Sequence, residues 1–470
     1  MNSTPPSPTS GTLPCPAPHP VPCPVRSGDR VVVVGAASSG RAAVAMLGRL
    51  GARVRLLDLR PVEPEYAATL EAAGVEFQAG EHTPAQFADA ALVVTSPGVP
   101  LARLEPVVQA SAPLTASGAS PKIIGELELG LPFVTAPVIA VTGTSGKTTT
   151  VSMVAAMLEA AGKRVFLGGN IGTPLCEFIV GGGQADIFVL ECSSFQLSSS
   201  LSLHPQVGIF LNLAENHLDQ HRDMQEYTDA KFNLFTRQGA DDLAIVHPDL
   251  VAEYERRGLK GRVLTYGPTD RFPDTRLVGR HNAANAEAAW LAVREFGVTE
   301  AEAAKAITSF APLENRIETL AVINGIAYVN DTKCTTVEAL SVALKSFNSP
   351  VILLAGGTFK GGDLPSLAPL LQQHVRHVAL YGASREIFEP AWKGIVPLSY
   401  DATMTSAFAR ARAMAVQGDV VLLSPATSSF DQYTNYKERG NHFRQLVADL
   451  QKAERAPLSD SVQGECHVVI

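Results

Sequence analysis

The chain has 470 residues, 46% of them hydrophobic, and a formal net charge of −8 at pH 7. This length predicts two or three domains, and the acidic balance argues against a general nucleic-acid-binding protein. The sequence has no apolar run of about 18 residues, as a membrane span needs, and its start lacks the pattern of a secretory signal. Its six scattered cysteines predict free thiols in a reducing cytoplasm.

Both ends of the chain are predicted to be tails. Residues 1–26 are dense in proline, which propagates neither a helix nor a central strand, and residues 459–470 carry no readable pattern. Cys15, His19 and Cys23 could bind a metal, but no second ligand pair has the spacing of a zinc site.

Residues 27–125 are predicted to form a Rossmann-like domain. The stretch "RVVVVGAASSG" indicates a buried strand and a glycine turn, followed by an alanine-rich helix and a strand that ends at Asp58. A dinucleotide fingerprint would need glycine in place of Ala37, where the backbone approaches a pyrophosphate, so a nicotinamide dehydrogenase is disfavoured. Ser38 and Ser39 at the helix N-terminus favour another nucleotide; a domain without a ligand is the alternative.

Residues 126–312 are predicted to form a second α/β domain around the stretch "VIAVTGTSGKTTT". A strand runs into a glycine-bracketed loop and then into a helix, with two residues between the first glycine and Gly-Lys instead of the usual four. Backbone amides of this loop face an anion, Lys147 adds charge, and Thr148 or Thr149 can reach magnesium. The alternative is a glycine-rich turn with a chance lysine.

Two further strands are predicted to end at chemically useful residues. The strand in "ADIFVLECSSFQL" ends at Glu191, and "QVGIFLNLAENHLDQH" ends just before Asn212, with His217 beyond it. Because ligands of open α/β sheets bind at the carboxyl ends of strands, we expect Lys147, Glu191 and His217 to converge, with Glu191 and His217 as magnesium ligands. A cap or ion pair for Glu191, and an ordinary histidine at 217, are the alternatives.

Residues 313–458 are predicted to form a third domain, because the strands "VILLAGG", "HVALYG" and "DVVLLSP" alternate with helices. The fold class is therefore α/β with three domains. The first is Rossmann-like, the second has a parallel sheet of the P-loop ATPase type, and the third is Rossmann-like.

The order of motifs along residues 28–450 resembles the Mur ligase family. The motifs are TGTSGKTTT, GGNIGTP, ECSSFQL, NLAENHLD, YTDAKFNLF, GRHNAANAEAA, ENRIE, NDTKCTT, GGTFKGGD and LLSPATSSFDQYTNYKERGNHF. Within the family, "NDTKCTT" and "SPATSSFDQY" are similar to members that add D-glutamate. Members that add other amino acids or a dipeptide, and folylpolyglutamate synthetases, carry other patterns there.

The resemblance implies an ATP-dependent ligase of cytoplasmic peptidoglycan precursor synthesis. The carboxylate of UDP-MurNAc-L-alanine would attack the γ-phosphate of ATP, and the amine of D-glutamate would then displace phosphate from the acyl phosphate. Because two anions must meet, such a site needs Mg²⁺ and cationic side chains. The implied partners are these three small molecules, without nucleic acid or a membrane span, and the implied state is a monomer.

The resemblance also implies site residues, motif by motif. Residues expected to bind ATP are Thr144, Ser145, Gly146, Lys147, Thr148, Thr149, Asn285, Arg316 and Asp331. Residues expected to bind the UDP-sugar are Ser38, Ser39, Leu59, Arg60, Ser96 and Asn170. Residues expected near D-glutamate are Lys333, Thr335, Lys360, Ser429, Phe430 and Tyr436. The expected metal ligands are Thr148, Glu191, His217 and Lys231, the last as a carbamate, and Lys147, Glu191, His217 and Lys231 are expected to be catalytic.

The sequence departs from the family pattern at four of these places. Ser145 and Thr336 stand where asparagine is commoner, Asn216 where aspartate precedes the histidine, and Cys334 where a small alanine is usual. These changes bear on affinity and not on the reaction. A related ligase that adds another amino acid, and a binding protein without catalysis, are the alternatives.

Overall fold

The computed structural model describes residues 22–115, 117–215, 221–275, 277, 279–311 and 314–455. The chain divides into two compact units: a first unit of Met1–Arg276 with His281–Phe310, and a second unit of Leu277–Arg280 with Ala311–Ile470. Most of both predicted tails, including Cys15 and His19, lies outside the described residues. No helix within the described ranges is both long and apolar enough to span a membrane.

The first sheet of the first unit has five parallel strands in the order β3-β2-β1-β4-β5. All four valines of β1 are buried, because helices cover both faces of a parallel sheet. In chain order its elements are β1 Arg30–Val34, α1 Ser38–Arg49, β2 Arg53–Asp58, α2 Pro64–Ala72, β3 Glu76–Ala79, β4 Leu92–Thr95, α3 Leu101–Gln109 and β5 Lys122–Gly125.

The second sheet of the first unit has six parallel strands in the order β11-β10-β9-β6-β8-β7. The elements begin with α4 Glu126–Gly130, β6 Val138–Thr142, α5 Lys147–Ala160, β7 Val165–Gly169, α6 Leu175–Val180, β8 Ile187–Glu191 and α7 Ser194–Ser198. They continue with β9 Val207–Phe210, α8 Met224–Phe232, β10 Leu243–Val246, α9 Val251–Arg256, β11 Arg262–Thr265, α10 Arg280–Val293 and α11 Glu300–Ser309. Strands β7 and β8 lie on one side of β6, and strands β9, β10 and β11 lie on the other. The strand order therefore switches sides at β6, and open α/β sheets bind ligands at such a point.

The first two sheets share a hydrophobic core. Leu129 on α4 and Cys176 on α6 are buried among side chains of the first sheet and of α1. Shared burial of apolar surface is the main force that holds packed elements together, which explains why these two sheets lie in one compact unit.

The sheet of the second unit has six strands in the order β12-β13-β17-β14-β15-β16. All neighbours are parallel except β12 and β13, which form an antiparallel hairpin. The elements are β12 Glu318–Ile323, β13 Ile326–Asn330, α12 Val337–Leu344, β14 Val351–Gly356, α13 Ala368–His374, β15 Val375–Tyr381, α14 Arg385–Trp392, β16 Leu398–Asp401, α15 Met404–Met414, β17 Val420–Leu423 and α16 Tyr436–Arg455.

The predicted fold class of three α/β sheet domains is confirmed, with one addition. The hairpin of β12 and β13 was not predicted from the sequence, although its turn carries a readable signal. Asn324 and Gly325 both have positive φ, 52° and 76°, as the tight two-residue turn of a hairpin requires. The exact boundaries of the three domains stay predictions.

Candidate functional site

The loop after β6 has the backbone of an anion-binding turn. Gly146 caps the N-terminus of α5 with φ 81°, in the left-handed region. A Cβ at this position would lie 2.9 Å from Oδ1 of Asn285. Glycine is therefore needed both for the backbone conformation and for the approach of α10, and the predicted nucleotide residue Asn285 lies beside the predicted phosphate loop.

Asn212, two residues after the end of β9, holds this loop in place. The backbone N–H of Ser145 donates to Oδ1 of Asn212 (2.9 Å), and Nδ2 of Asn212 donates back to the carbonyl of Ser145 (3.1 Å). The N–H of Thr144 donates to the backbone carbonyl of Asn212 (3.0 Å). From the sequence, Asn212 was predicted only to mark the end of a strand. The signal for its role in the loop was a polar residue close behind a buried strand.

Lys147 lies over the same loop at the start of α5. Its Nζ donates to the carbonyls of Gly143 (2.7 Å) and Thr144 (3.0 Å). Thr148 and Thr149 follow in the first turn of the helix and are half-buried. A helix N-terminus with a lysine beside it attracts phosphate groups, so the arrangement suits the predicted triphosphate contact.

Lys231 on α8 meets Lys147 at one backbone carbonyl. It is only 1% exposed, and its Nζ donates to the carbonyl of Gly143 at 2.9 Å. The ring of Tyr227 lies 4.6 Å below the amine, and the hydroxyl of Tyr227 is 3.2 Å from that of Thr144. Burial, and next the charge of Lys147, lower the pKa of Lys231 well below its usual value, although the charge of Glu191 opposes the shift. The reason is that removal from water and a neighbouring cation both disfavour a charged amine.

Glu191 ends β8, the strand beside β6, with Val141 as its paired residue. Glu191 is 2% exposed, and its Oε1 accepts a hydrogen bond from Nδ2 of Asn170 at 2.9 Å. Among the described residues, Oε2 is buried and has no hydrogen-bond partner. A buried carboxylate oxygen without a donor is costly, and such an oxygen is a ligand that Mg²⁺ prefers.

The predicted ligand His217 cannot be placed, because 216–220, which also contain Asn216, lie outside the described residues. Within the described part of the chain, no cluster of three or more His, Cys, Asp or Glu side chains is positioned to hold a metal. Glu191 and Lys231 are therefore the described members of the predicted metal site, together with the hydroxyl of Thr148.

A cavity of about 1080 Å³ opens at the carboxyl edge of the first sheet. Asp58 forms part of its wall and holds two loops, because its carboxylate accepts from the N–H groups of Ala36 (2.7 Å) and Arg60 (2.9 Å). Leu59 beside it is 65% exposed. Every residue predicted to bind the UDP-sugar lines this cavity: Ser38, Ser39, Leu59, Arg60, Ser96 and Asn170. Asp58, Glu81 and His82, which the sequence analysis did not propose, line it as well.

In the second unit, residues predicted near D-glutamate lie after three neighbouring strands. Nζ of Lys333, after β13, lies 5.5 Å from the ring of Tyr436, and Nζ of Lys360, after β14, lies 5.7 Å from the ring of Phe430. Ser429, after β17, is buried, while Phe430 is 65% exposed. Thr335, in the segment after Lys333, is half-buried. These residues therefore share the carboxyl edge of the third sheet.

Arg316, predicted to contact the nucleotide, lies on a strained segment of the second unit. The residues on both sides of it, Asn315 and Ile317, have φ values of 65° and 44°, which a β-branched side chain such as isoleucine rarely adopts. Asn330 donates to the side-chain oxygen of Asn315 (2.9 Å), and the N–H of Ile317 donates to Asp331 (3.2 Å). These bonds hold the strained backbone in place.

Asp331 is buried in the second unit and accepts a hydrogen bond from Oγ of Ser424 at 2.8 Å. Burial raises its pKa to about 7, although the bonds from Ser424 and Ile317 oppose the shift. In the unfolded chain the pKa is about 4, so the protonated form is favoured in the fold.

Asp331 is therefore expected to make the second unit less stable as pH rises from about 4 to about 7, by at most about 1.4 kcal/mol per pH unit. A carboxyl group whose pKa is raised in the folded state stabilises the fold fully at pH values below its unfolded-state pKa. That stabilisation is lost as pH rises through the folded-state pKa, which gives the sign of the expected change. Asp331→Asn should flatten this slope in urea unfolding between pH 5 and 8. Asp449→Asn, at a largely exposed position, is the control, and equal slopes in all three proteins would contradict the prediction.

A loop with the backbone of an anion-binding turn at the carboxyl edge of one parallel sheet, and a cavity at the carboxyl edge of the other, are typical of a nucleotide-binding α/β enzyme. Two family models then match the chain: the Mur ligase middle domain over 141–275, and the Mur ligase MurD-like N-terminal domain over 29–116. The chain belongs to the Mur ligase family.

Three relatives of high identity carry the name UDP-N-acetylmuramoylalanine–D-glutamate ligase. The protein of that name from Oleidesulfovibrio alaskensis is 52% identical over 438 residues, 92% of this chain and 96% of its own length. The one from Nitratidesulfovibrio vulgaris strain DP4 is 52% identical, over 91% of this chain and 98% of its own. The one from Lawsonia intracellularis is 46% identical, over 90% and 94%.

Solved structures of low identity share the fold. The MurF ligase from Thermotoga maritima, solved in complex with ADP, has a TM-score of 0.55 at 17% identity and covers 91% of this chain and 96% of its own. A pseudomurein peptide ligase type C from Methanothermus fervidus has a TM-score of 0.54 at 15% identity, over 90% and 100%.

Proposed function

We propose that the protein joins D-glutamate to UDP-MurNAc-L-alanine at the expense of ATP, in the cytoplasmic synthesis of peptidoglycan precursors. The observation that carries the proposal is the hydrogen bond between Asn170 and Glu191. Asn170 lines the cavity of the first sheet, and Glu191 ends the strand beside the phosphate loop. A UDP-sugar in the cavity would therefore extend its terminal carboxylate toward the phosphates of ATP.

The chemistry of the proposed reaction explains the residues around the loop. A carboxylate oxygen attacks the γ-phosphorus, so that a C–O–P linkage forms and the bond to ADP breaks. The amine of D-glutamate then attacks the acyl carbon and loses a proton, the C–N bond forms, and phosphate leaves with the electrons of the C–O bond. Lys147 and the N-terminus of α5 hold the phosphates, and their positive charge reduces the repulsion between the two anions.

The residues present suit a magnesium ion at the same place. Glu191 offers a buried carboxylate oxygen that has no other partner among the described residues. Thr148, His217 and a carbamylated Lys231 would be the other ligands in this proposal. When bound, the ion would neutralise phosphate charge.

The other substrates are assigned by the charge and shape of the remaining residues. Arg60 and the hydroxyls of Ser38 and Ser39 suit the diphosphate of the UDP-sugar. The cations of Lys333 and Lys360 suit the two carboxylates of D-glutamate. Other proposed UDP-sugar contacts are Leu59 and Ser96; proposed amino-acid contacts are Thr335, Ser429, Phe430 and Tyr436; and proposed nucleotide contacts are Thr144, Ser145, Gly146, Thr149, Asn285, Arg316 and Asp331. We propose that the protein acts as a monomer.

Sustained release of phosphate from Mg-ATP is expected to require both UDP-MurNAc-L-alanine and D-glutamate. The acyl phosphate stays bound until an amine reaches it, so omission of the amino acid should stop turnover. L-Glutamate should fail, because Lys333 and Ser429 would hold one configuration at Cα. A phosphate-release assay with each substrate omitted, and with other amino acids in place of D-glutamate, checks this. Equal rates with both enantiomers would contradict the D-glutamate assignment.

A further inference from the structure

The second unit buries an arginine completely. Arg439, one turn into α16, is 0% exposed. Within the part of the chain that the structure describes, its guanidinium binds neutral oxygens only and no carboxylate. Burial of a charge without a counter-ion is expensive, and an apolar side chain would fill the same volume without that cost. The position therefore calls for an explanation beyond packing.

The guanidinium binds the loops that follow three neighbouring strands. After β13, Nε donates to Oγ1 of Thr332 (2.9 Å) and Nη2 to its carbonyl (2.9 Å). After β17, Nη2 donates to the carbonyl of Thr427 (3.0 Å). At Gly356, the last residue of β14, Nη1 makes a longer contact of 3.5 Å with the backbone carbonyl. These strands are adjacent in the order β13-β17-β14, so one side chain connects the carboxyl ends of three consecutive strands.

The backbone packs directly against this guanidinium. A Cβ on Gly357 would lie 3.1 Å from Nη1 of Arg439, 2.4 Å from Oγ1 of Thr427 and 2.3 Å from the carbonyl of Ser428. The hydroxyl of Thr332 also donates to the carbonyl of Tyr436 (3.2 Å), which ties the start of α16 to the same point. The loops are thus held by direct contact, and lysine could not reproduce the planar fork that holds them.

Each of the three loops carries a residue that the proposed function places near D-glutamate. Lys333 follows Thr332 directly, Lys360 lies in the loop that begins at Gly357, and Ser429 is two residues beyond Thr427. A buried positive charge beneath these loops also adds to the attraction of Lys333 and Lys360 for an anion.

We propose that Arg439 is a positioning residue for the amino-acid substrate, which fixes the loops of Lys333, Lys360 and Ser429 and adds a buried positive charge beneath a dicarboxylic ligand. This inference rests on the proposed function, since it takes D-glutamate as the ligand of this edge. It predicts a selective loss of D-glutamate affinity, because the cavity for the UDP-sugar lies in the first unit.

The test compares KM values for D-glutamate and for UDP-MurNAc-L-alanine in the full chain. Arg439→Lys keeps the charge but loses the fork, and should raise KM for D-glutamate about 10- to 100-fold with KM for the UDP-sugar unchanged. Thr332→Val keeps Arg439 and removes one acceptor, and should raise the same KM by a smaller factor; it provides the readout if Arg439→Lys does not fold.

The matched control is Arg376→Ala. Arg376 pairs with the buried Asp419 at 2.9 Å, and both lie at the opposite edge of the same sheet, before or at the start of their strands. This variant should lower the unfolding midpoint and leave both KM values unchanged. If the wild-type protein shows no turnover that depends on D-glutamate, the proposed function itself is overturned before any variant is compared. If the wild type turns over, the positioning role of Arg439 is tested by the variants. It is overturned if folded Arg439→Lys and Thr332→Val keep the wild-type KM for D-glutamate, or if they raise both KM values alike. It is also overturned if Arg376→Ala produces the same selective rise.

Discussion

Replacement of Lys147 by alanine is expected to abolish turnover while the protein still binds its UDP-linked substrate. The amine of Lys147 lies over the loop after β6, 2.7 Å from the carbonyl of Gly143, and the proposed function makes it the cation that meets the transferred phosphoryl group. Loss of such a charge in a site that excludes water is expected to lower kcat at least about 100-fold. Phosphate release measures the rate, and calorimetric titration of UDP-MurNAc-L-alanine measures the binding.

The matched control is Lys163→Ala. Lys163 is exposed and lies just past the C-terminal end of α5, the helix that Lys147 begins. Lys163→Ala truncates the same type of side chain at a position outside the loop, and it should leave kcat and the binding of UDP-MurNAc-L-alanine unchanged. Thermal unfolding of both variants shows whether the loop bonds of Lys147 also stabilise the fold. Near-normal turnover of folded Lys147→Ala would mean that the loop does not hold the reacting phosphates.

Replacement of Lys231 by alanine is expected to inactivate the enzyme, and a short carboxylate is expected to restore part of the activity. Lys231 is buried beside Lys147 and shares the carbonyl of Gly143 with it. Two ammonium groups at one carbonyl repel each other strongly where little water is present, and burial lowers the pKa of Lys231. A neutral amine can attack the carbon of CO₂ and lose a proton, which gives a carbamate whose oxygens suit a hard cation.

Acetate at millimolar concentration would occupy the space that the truncated side chain leaves and provide similar oxygens. The rescue is measured as phosphate release by Lys231→Ala with increasing acetate. Acetate should have no effect on the wild-type protein or on Lys147→Ala, which distinguishes rescue from a general salt effect. A near-normal Lys231→Ala variant that acetate does not change would rule out the carbamate.

Much of the fold could be predicted from the sequence because the signals are local. The run of valines in β1, the glycine-bracketed loop before Lys147 and the alternation of strands and helices each lie within a few residues of chain. The antiparallel hairpin of β12 and β13 was missed although Asn324-Gly325 signals its turn. The order of motifs indicated the Mur ligase family, which the relatives confirm. The roles of individual site residues stay predictions, and His217 lies outside the described residues.

By itself, the sequence determined the fold class, the glycine-bracketed loop before Lys147 and the family. Only the tertiary structure decided which side chains meet, because that depends on strand order and on register across long separations in the chain. Asn212 braces a loop 67 residues before it, and Asn170 reaches from β7 both to Glu191 and to the cavity of the first sheet. Arg439 donates hydrogen bonds to loops up to 107 residues before it in the chain. Its burial is invisible in the sequence, since an arginine near the start of a polar helix is normally exposed to water.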